Sequence, residues 1–189
     1  MTTEAVTRRD QLLATAAELF AARGFHGVSV ADIGAACGVS GPALYKHFPG
    51  KEALLAEMLV SISEQLLEVG RARDAATEDP REALAALVEW HVDFALRQRA
   101  LIIVQDRDWS TLPPAAREQV RSLQRAYVDV WAGRIRQLHP HQGLDEARAM
   151  AHAAFGLINS TPHSALLPDA SMRALLGRMA LAALNLGLG

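Results

Sequence analysis

Apolar residues recur three or four positions apart along almost the whole chain, and this spacing restricts the fold to helices. Strand-type alternation of apolar and polar residues is scarce, and aromatic residues make up only 5% of the sequence. Runs such as Leu12 to Phe20 and Leu55 to Val69 place their apolar side chains on one face of a helix. The pattern predicts an all-α protein of about nine helices.

Glycine and proline predict where these helices begin and end. Gly24 and Gly70 are typical helix stops, and Pro80 suits a first helical turn. Further helices are predicted from Leu101 to Trp109, from Pro114 to about His139, from Leu144 to Ser160, and from a loop with Pro162 and Pro168 to about Leu186.

The composition is that of an ordinary globular protein. The 189 residues are 50% hydrophobic and 21% charged, which excludes disorder over the full length and fits one compact domain or two small ones that share a core. The formal net charge of −2 excludes a uniformly basic surface for nucleic acid, although a local DNA-binding face remains open.

Cysteine use and hydropathy predict a cytoplasmic protein with no membrane partner. Cys37 is the one cysteine in the sequence, so no intrachain disulfide can form. We interpret it as a small buried residue and leave a redox role open. The longest apolar stretches, such as 100–104 and 179–184, are far shorter than the roughly 20 residues that a bilayer requires. No apolar signal core is visible near the N-terminus.

The segment from Val28 to Lys51 differs from the rest because its elements are short. Ser29 and Asp32 have the spacing of a capping box, which predicts a helix from Val30 to Ala36. Gly38 can supply the positive φ of a tight turn, and Ser40 can cap a second helix.

Proline and glycine also set the limits of that second helix. Pro42 falls in its first turn, where the missing N–H costs little, and the helix is predicted to run to about Phe48. Pro49 and Gly50 then stop it, and Lys51 begins the long fourth helix, which is expected to reach Gly70.

Two short helices joined by a glycine turn predict a helix-turn-helix, whose second helix can lie in the major groove of DNA. A generic helical corner with a solvated polar end has the same spacing, so the pattern alone leaves both interpretations open. The chemistry fits DNA: helix N-termini and polar side chains can meet phosphate, and small residues allow a close approach to bases. The candidate DNA-binding residues are Ser29, Ser40, Gly41, Pro42, Ala43, Tyr45, Lys46, His47 and Lys51.

Three runs in this region resemble the DNA-binding domain of the TetR family of transcriptional regulators. They are Gly24 to Gly34, Cys37 to Ser40 and Leu44 to Leu54, and the signature covers about the first third of the chain. The resemblance implies a homodimeric repressor that binds double-stranded operator DNA and is released by a small, largely apolar effector. It implies no cofactor.

The resemblance also implies a domain division. Residues 1–52 would form the helix-turn-helix domain, linked through a fourth helix at about 51–70, and residues 53–189 would bind the effector and form the dimer. Ser29 would contact phosphate, Ser40 to Ala43 would contact bases, and Tyr45, His47 and Lys51 would contact the DNA backbone.

Two features of this sequence weaken the expected affinity for DNA. Pro42 has no N–H to donate, and Lys46 is the single full positive charge of the recognition helix. Residues 1–52 contain five basic and five acidic side chains, so we expect few counterions to be released on binding.

Aromatic and polar residues between Pro80 and Ser160 lie at helical spacing and can line a cavity for a small molecule. Each of them can equally pack in the core, and we interpret His91 as a hydrogen-bonded core histidine. Gln105 and Asn159 are the better polar candidates, because a buried amide needs a partner that an effector can supply. The candidate effector residues are Trp90, Phe94, Gln105, Trp109, Tyr127, Trp131, Phe155 and Asn159.

The last two helices are predicted to form a homodimer interface. Small residues at Ala149, Ala153 and Gly156 keep one side of the first helix flat, and the final helix is rich in leucine and methionine. A second subunit can bury these surfaces, although both helices can also complete the monomer core. The run Gln105 to Asp108 is expected to form a solvated face or an ion pair within its helix.

Enzyme motifs are absent from the sequence. No glutamate is followed by histidine three positions later, as a di-iron bundle requires, and the sequence around Lys51 lacks the first glycine of a P-loop. We therefore expect neither catalysis nor a metal site. The alternative function is a DNA-binding module whose C-terminal domain serves only dimerisation or a protein partner.

Overall fold

The structure is a computed structural model that describes residues 7–164 and 166–184. Within these residues the chain forms nine helices and no strand, which confirms the predicted all-α class. The helices are α1 Arg8–Arg23, α2 Val30–Ala36, α3 Gly41–Tyr45, α4 Lys51–Ala75, α5 Pro80–Arg97, α6 Arg99–Asp108, α7 Pro114–Leu138, α8 Leu144–Ile158 and α9 Asp169–Ala183. Single turns at Trp109–Thr111 and Thr161–Ser164 complete the regular structure.

The contacts divide the chain into two compact units. Unit 1 contains the described residues up to Ser61 together with Ala100–Gln119. Unit 2 contains Ile62–Arg99 and the described residues from Val120 onward. The segment 100–119 therefore packs with the N-terminal helices, although the sequence hypothesis assigned it to the effector domain. The functional division at residue 52 stays a prediction.

The ends of the first helices follow from local hydrogen bonding. Helix α2 has the predicted bounds, and Ser29 and Asp32 form the expected capping box. Gly24 and Gly38 have φ angles of 79° and 66°, a region that glycine adopts without steric cost. The Ser40 hydroxyl accepts a hydrogen bond from the Ala43 N–H at 3.4 Å, as its predicted capping role requires.

Helix α3 is shorter than predicted. It ends at Tyr45, and the residues up to Phe48 form a turn rather than a continued helix. A proline disfavours the helical conformation in the residue before it, so Pro49 restrains Phe48 and the helix ends earlier. The turn buries the Phe48 ring, which is 1% exposed.

Helix α4 is longer than predicted, because Gly70 does not stop it. The helix continues to Ala75, and Gly70 is buried inside it. A Cβ atom at this position would lie 2.5 Å from Cε2 of Tyr127, which is closer than packed atoms approach. This glycine is therefore explained by the contact with an aromatic ring rather than by a helix end.

The remaining helices differ from the predictions only at their ends. Pro162 was assigned to a loop and lies in the helical turn Thr161–Ser164. The last helix was predicted to end at about Leu186, which lies outside the described residues. Within them, α9 extends to Ala183.

Unit 1 encloses a small hydrophobic core to which α1, α2, α3 and the start of α4 all contribute. Helix α2 packs against both α1 and α3. The side chains of the core are at most 2% exposed and include Leu12, Phe20, Phe25, Ile33, Leu44, Phe48, Leu54 and Leu55.

Unit 2 is organised around α5, which packs against α8 and α9. Leu84, Leu87 and Val88 of α5 are buried to 1% exposure or less. The Thr161 hydroxyl is also buried and donates a 2.9 Å hydrogen bond to the carbonyl of Ala95. This bond satisfies a carbonyl in the last turn of α5, which has no partner within its own helix.

The contact between Gly70 and Tyr127 yields a stability prediction. We expect Gly70→Ala to lower the free energy of unfolding by about 1–3 kcal/mol, because the added methyl overlaps the Tyr127 ring. The matched control is Gly133→Ala in α7, where nothing lies within 4 Å of the added methyl. This control should gain up to about 1 kcal/mol from helix propensity. Urea unfolding at one fixed protein concentration measures both, and equal stability of the two variants would contradict the prediction.

Candidate functional site

An open groove of about 730 Å³ lies on unit 1, beside the N-terminus of α2 and the turn between α3 and α4. Three of the candidate DNA-binding residues, Ser29, Tyr45 and Lys51, line it. The other lining residues are His26, Gly27, Val28, Val30, Ala31, Asp32, Pro49, Gly50 and Glu52. The structure therefore places residues from three segments of the sequence on one concave surface.

The remaining candidates lie on or next to α3. Ser40, Pro42 and Lys46 are exposed, and Tyr45 keeps 55% of its surface accessible. The half-buried candidates are Ala43 and His47, and Gly41 is the first residue of α3. Leu44 on the opposite side of α3 is fully buried. Helix α3 thus presents a polar outer face on an apolar base.

The hydroxyl of Ser29 is already used within α2. It donates to the Asp32 carboxylate at 2.5 Å and accepts from the Asp32 N–H at 3.1 Å. The hydroxyl bond and the Ser29 backbone N–H hold the pKa of Asp32 below its usual value. Asp32 and Glu52 therefore place negative charge in the groove, which reduces its attraction for phosphate.

Lys51 has a structural role that the sequence did not predict. Its ammonium donates to the carbonyls of Phe25 and Val28, both at 2.9 Å, and lies 4.4 Å from the centre of the Phe25 ring. An ammonium has three N–H donors, so these bonds take two of them. Lys51 ties the loop between α1 and α2 to the start of α4.

Arg9 fixes the turn that follows α3. Its guanidinium donates to the His47 carbonyl at 2.8 Å, pairs with both oxygens of Glu57, and lies 4.3 Å from the centre of the Phe48 ring. These contacts join α1 and α4 to the turn after α3. Hydrogen bonding to Glu57 raises the pKa of Arg9, so the clamp stays charged.

Two further residues of unit 1 were not identified from the sequence. His26 lines the groove and is exposed, although it lies in the run that carries the family resemblance. Arg107 pairs with Asp108 as expected, but it also donates to the carbonyls of Phe20 and Ala21 at the end of α1. Asp106 and Arg107 are exposed as predicted for this run, and the contact of Arg107 with α1 is an addition that the sequence did not indicate.

Among the candidate effector residues, the structure brings together four aromatic side chains of unit 2 around His91. The His91 ring is stacked on Phe155 at 4.6 Å and on Tyr127 at 5.7 Å, measured between centroids. Trp131 meets Phe155 edge-on at 4.9 Å, and Phe94 lies 5.7 Å from His91. We call these five residues the aromatic cluster.

The other four candidates lie outside the aromatic cluster. Gln105 and Trp109 belong to unit 1, whereas Trp90 of unit 2 lies under the guanidinium of Arg97, 5.9 Å from the ring centre. Asn159 caps the C-terminus of α8, and its amide interacts with His91. The aromatic residues therefore form a packed set, as the core interpretation of the sequence allowed.

Several polar atoms of unit 2 are buried without a hydrogen-bond partner. Nε2 of His91, Nε1 of Trp131 and Oδ1 of Asn159 lack a hydrogen bond of standard geometry, although Asn159 interacts with His91 and Trp131 with Tyr127. His91 Nδ1 is hydrogen-bonded to the Tyr127 hydroxyl at 3.3 Å. Buried polar groups usually have partners, so atoms without one indicate a place where a bound molecule can contribute hydrogen bonds.

Burial controls the ionisation of this cluster. Desolvation lowers the pKa of His91 to about 4, against a smaller opposing effect of Asn159. Desolvation also raises the pKa of Tyr127 well above its usual value. Both side chains are therefore neutral at physiological pH.

Residues 7–164 and 166–184 contain neither a metal-binding cluster nor a membrane-spanning helix. No three His, Cys, Asp or Glu side chains come close enough there to share a metal ion. None of the helices formed by these residues has the length and apolar character that a membrane span requires.

Two family models match the chain. Residues 12–58 match the model described as bacterial regulatory proteins of the tetR family. Residues 77–163 match the model described as the tetracyclin repressor-like C-terminal domain.

Curated relatives and solved structures agree with these matches. The transcriptional activator FasR of Mycolicibacterium smegmatis is 34% identical over 65% of this chain and 56% of its own length. The transcriptional repressor KstR2 of Rhodococcus jostii is 32% identical over 67% and 62%. The alignments thus span less than two thirds of either relative. A TetR-family regulator from Bordetella parapertussis is 27% identical, with a TM-score of 0.83 and 94% of both chains covered.

The helix-turn-helix of unit 1 and the two family matches together define the class. The chain belongs to the TetR family of bacterial regulatory proteins. The family and these relatives are transcriptional regulators rather than enzymes, which confirms the sequence assignment.

The contacts of Lys51 predict that it contributes to stability as well as to the groove. We expect Lys51→Gln to lower the free energy of unfolding by about 1–3 kcal/mol, because two carbonyls lose a charged donor. The matched control is Lys46→Gln, which removes an exposed charge and should change stability by less than about 0.5 kcal/mol. Urea unfolding distinguishes them, and an unchanged midpoint for Lys51→Gln would refute the structural role.

The buried His91 predicts a pH-dependent stability. Below a pH of about 6.5, His91 binds a proton in the unfolded chain, whereas in the folded chain it stays neutral down to about pH 4. Stability should therefore fall by roughly 3 kcal/mol as the pH drops through this window, with no further loss from this group below it.

We expect His91→Gln to remove this component of the pH profile. The control His141→Gln changes an exposed histidine of unit 2 and should leave the profile unaltered. Unfolding by urea at closely spaced pH values provides the measurement. Parallel profiles for the wild type and His91→Gln would show that His91 is not the titrating group.

Proposed function

We propose that the chain is a homodimeric transcriptional repressor that binds operator DNA and leaves it when a small effector binds. The observation that carries this proposal is the outer face of α3 and the residue that follows it, where Pro42, Tyr45 and Lys46 are exposed and Leu44 is buried beneath them. A short helix held this way beside the N-terminus of α2 is suited to enter a major groove. A regulator of this kind works in the cytoplasm, where its DNA lies.

The residues of this surface divide into two groups. Tyr45 and Lys46 carry donors that suit phosphate oxygens, which hold the protein on the duplex without reading its sequence. Gly41 and Ala43 are small and suit base edges or thymine methyl groups. Lys51 has one ammonium donor left after its two carbonyl bonds, so its contribution to phosphate binding would be limited.

Exposed small residues on α8 and α9 support the proposed homodimer. Ala149, Ala153 and Gly156 lie along the exposed side of α8, and Met179 of α9 is 47% exposed. A second copy would bury these surfaces and place two recognition helices about 34–36 Å apart, one turn of DNA.

The aromatic cluster supports a small, largely apolar effector. Its rings offer apolar surface, and its unpartnered atoms on His91 and Trp131 offer hydrogen bonds. Tyr127 joins the cluster to Gly70 of α4, the helix whose first residue, Lys51, lines the groove of unit 1. An effector that moves Tyr127 would act on α4, and it would release DNA only through a difference in affinity for the two conformations.

A second candidate function is a DNA-binding module whose unit 2 serves only dimerisation or a protein partner. The close stacking of Phe155, His91 and Tyr127 favours it, because these rings already cover one another's apolar surfaces.

Whether the chain represses or activates transcription is also a proposal, since FasR is described as an activator and KstR2 as a repressor.

The experiment is selection of duplexes from a random-sequence library, followed by fluorescence anisotropy at several salt concentrations with random DNA as competitor. We expect a palindromic consensus, two chains per duplex and a shallow salt dependence, because few charges line the surface. Failure to enrich any sequence at low salt would overturn the DNA-binding proposal.

Substitutions on α3 should separate the two groups of contacts. Tyr45→Ala should weaken binding to selected and random duplexes equally, whereas Ala43→Ser should change the selected sequence. Each lost contact should cost about tenfold in affinity or less. Arg71→Ala, an exposed change in unit 2, is the control and should have no effect. Equal effects of both α3 variants on every duplex would contradict this division.

A further inference from the structure

A second groove lies within unit 2, between the side chains of α7 and α8. Its volume is about 320 Å³, which falls at the lower end of the range for small-molecule sites. The lining residues are Arg121, Gln124, Arg125 and Val128 of α7 and Arg148 and His152 of α8. None of the candidate effector residues lines this groove.

The lining of this groove is basic. Three of its six residues are arginine and none is acidic. Arg148 is oriented by Asp129, at 2.7 Å, and by Asp145, at 3.7 Å. A guanidinium has five N–H donors in a fixed fork, so Arg148 retains donors for another anion after its contacts with these two carboxylates.

One lining residue of the groove contacts the aromatic cluster. The ring of His152, which lines the groove, meets Phe155 edge-on with 6.2 Å between centroids. Phe155 is half-buried, and its ring also contacts those of His91, Trp131 and Tyr127 at 4.6, 4.9 and 5.5 Å between centroids. The basic groove and the aromatic cluster are therefore neighbours, joined by the contact between His152 and Phe155.

The basic groove also differs from the proposed dimer surface. Arg148 and His152 are four residues apart and share one stripe of α8. Ala149 and Ala153 are each one residue later, which turns them by about 100° around the helix. A second copy on the small residues would therefore approach a different side of α8.

We propose that the basic groove binds the anionic head of an amphiphilic effector, such as a phosphate ester or carboxylate, whose apolar body lies against Phe155. This inference rests on the proposed effector function and specifies the chemical class of the ligand. The arginines supply charge-assisted hydrogen bonds to the head, and the aromatic cluster supplies apolar contact to the body.

Calorimetric titration of the protein with three probes tests whether tight binding requires both an anionic head and an apolar alkyl chain. The probes are decyl phosphate below its micelle concentration, decanol, and inorganic phosphate. Decyl phosphate should bind at least about tenfold more tightly than either other probe, because it alone uses both surfaces. Equal affinity for decanol and decyl phosphate would overturn the proposal, as would equal affinity for decyl phosphate and inorganic phosphate.

Matched variants on α7 test the groove itself. Arg125→Gln should weaken decyl phosphate binding by about tenfold and leave decanol binding unchanged. Arg136→Gln removes the same charge from an exposed position outside the groove and should change neither. Equal losses in both variants would overturn the proposal. It would also fail if Arg125→Gln altered the monomer–dimer equilibrium in sedimentation and left decyl phosphate binding intact.

The selected DNA duplex separates this inference from the proposed function. Decyl phosphate should release the duplex from the wild type at concentrations about tenfold lower than from Arg125→Gln. A protein that binds the duplex but not decyl phosphate would overturn the inference alone. A protein that binds decyl phosphate through Arg125 but no DNA would overturn the regulator proposal alone.

Discussion

Helices of seven and five residues, such as α2 and α3, are too short to persist in water without tertiary contacts, and the proposed DNA surface depends on this constraint. Their inner side chains, including Ile33 and Leu44, are fully buried among aromatic residues of unit 1. The outer face of α3 can be polar because the inner face supplies the stability. Clamps from Arg9 and Lys51 then fix the loops at either end, using carbonyls that α-helical bonding leaves unpaired.

The interior of unit 2 differs from that of unit 1, because it combines packed aromatic rings with buried polar atoms that lack a standard hydrogen bond. His91 is buried in its neutral form, because desolvation lowers its pKa to about 4. The cost is the hydrogen-bonding capacity left unused at its Nε2 and at Nε1 of Trp131. Such atoms favour a molecule that can pair with them, which connects the packing of this unit with the proposed response to an effector.

Local features were predictable because their causes lie within a few residues. The capping box of Ser29 and Asp32, the turn at Gly38 and the bounds of α2 were all identified from spacing alone. The cap of α3 was also local, since the Ser40 hydroxyl accepts a hydrogen bond from the Ala43 N–H three residues later. Pro49 was recognised as a stop, but its effect on the preceding residue shortened α3 more than the apolar pattern indicated.

The amino-acid sequence by itself determined the all-helical class, most helix ends and the family signature, because capping and helical periodicity depend on near neighbours. Tertiary structure alone decided what Gly70 and Lys51 do. Gly70 is read locally as a helix stop, yet it lies inside α4. A larger side chain there would overlap the ring of Tyr127, 57 positions away. Lys51 is read as a phosphate contact, yet its ammonium binds carbonyls that folding brings within 2.9 Å. Spacing along the chain cannot reveal such contacts, because they join residues that are neighbours only in the folded protein.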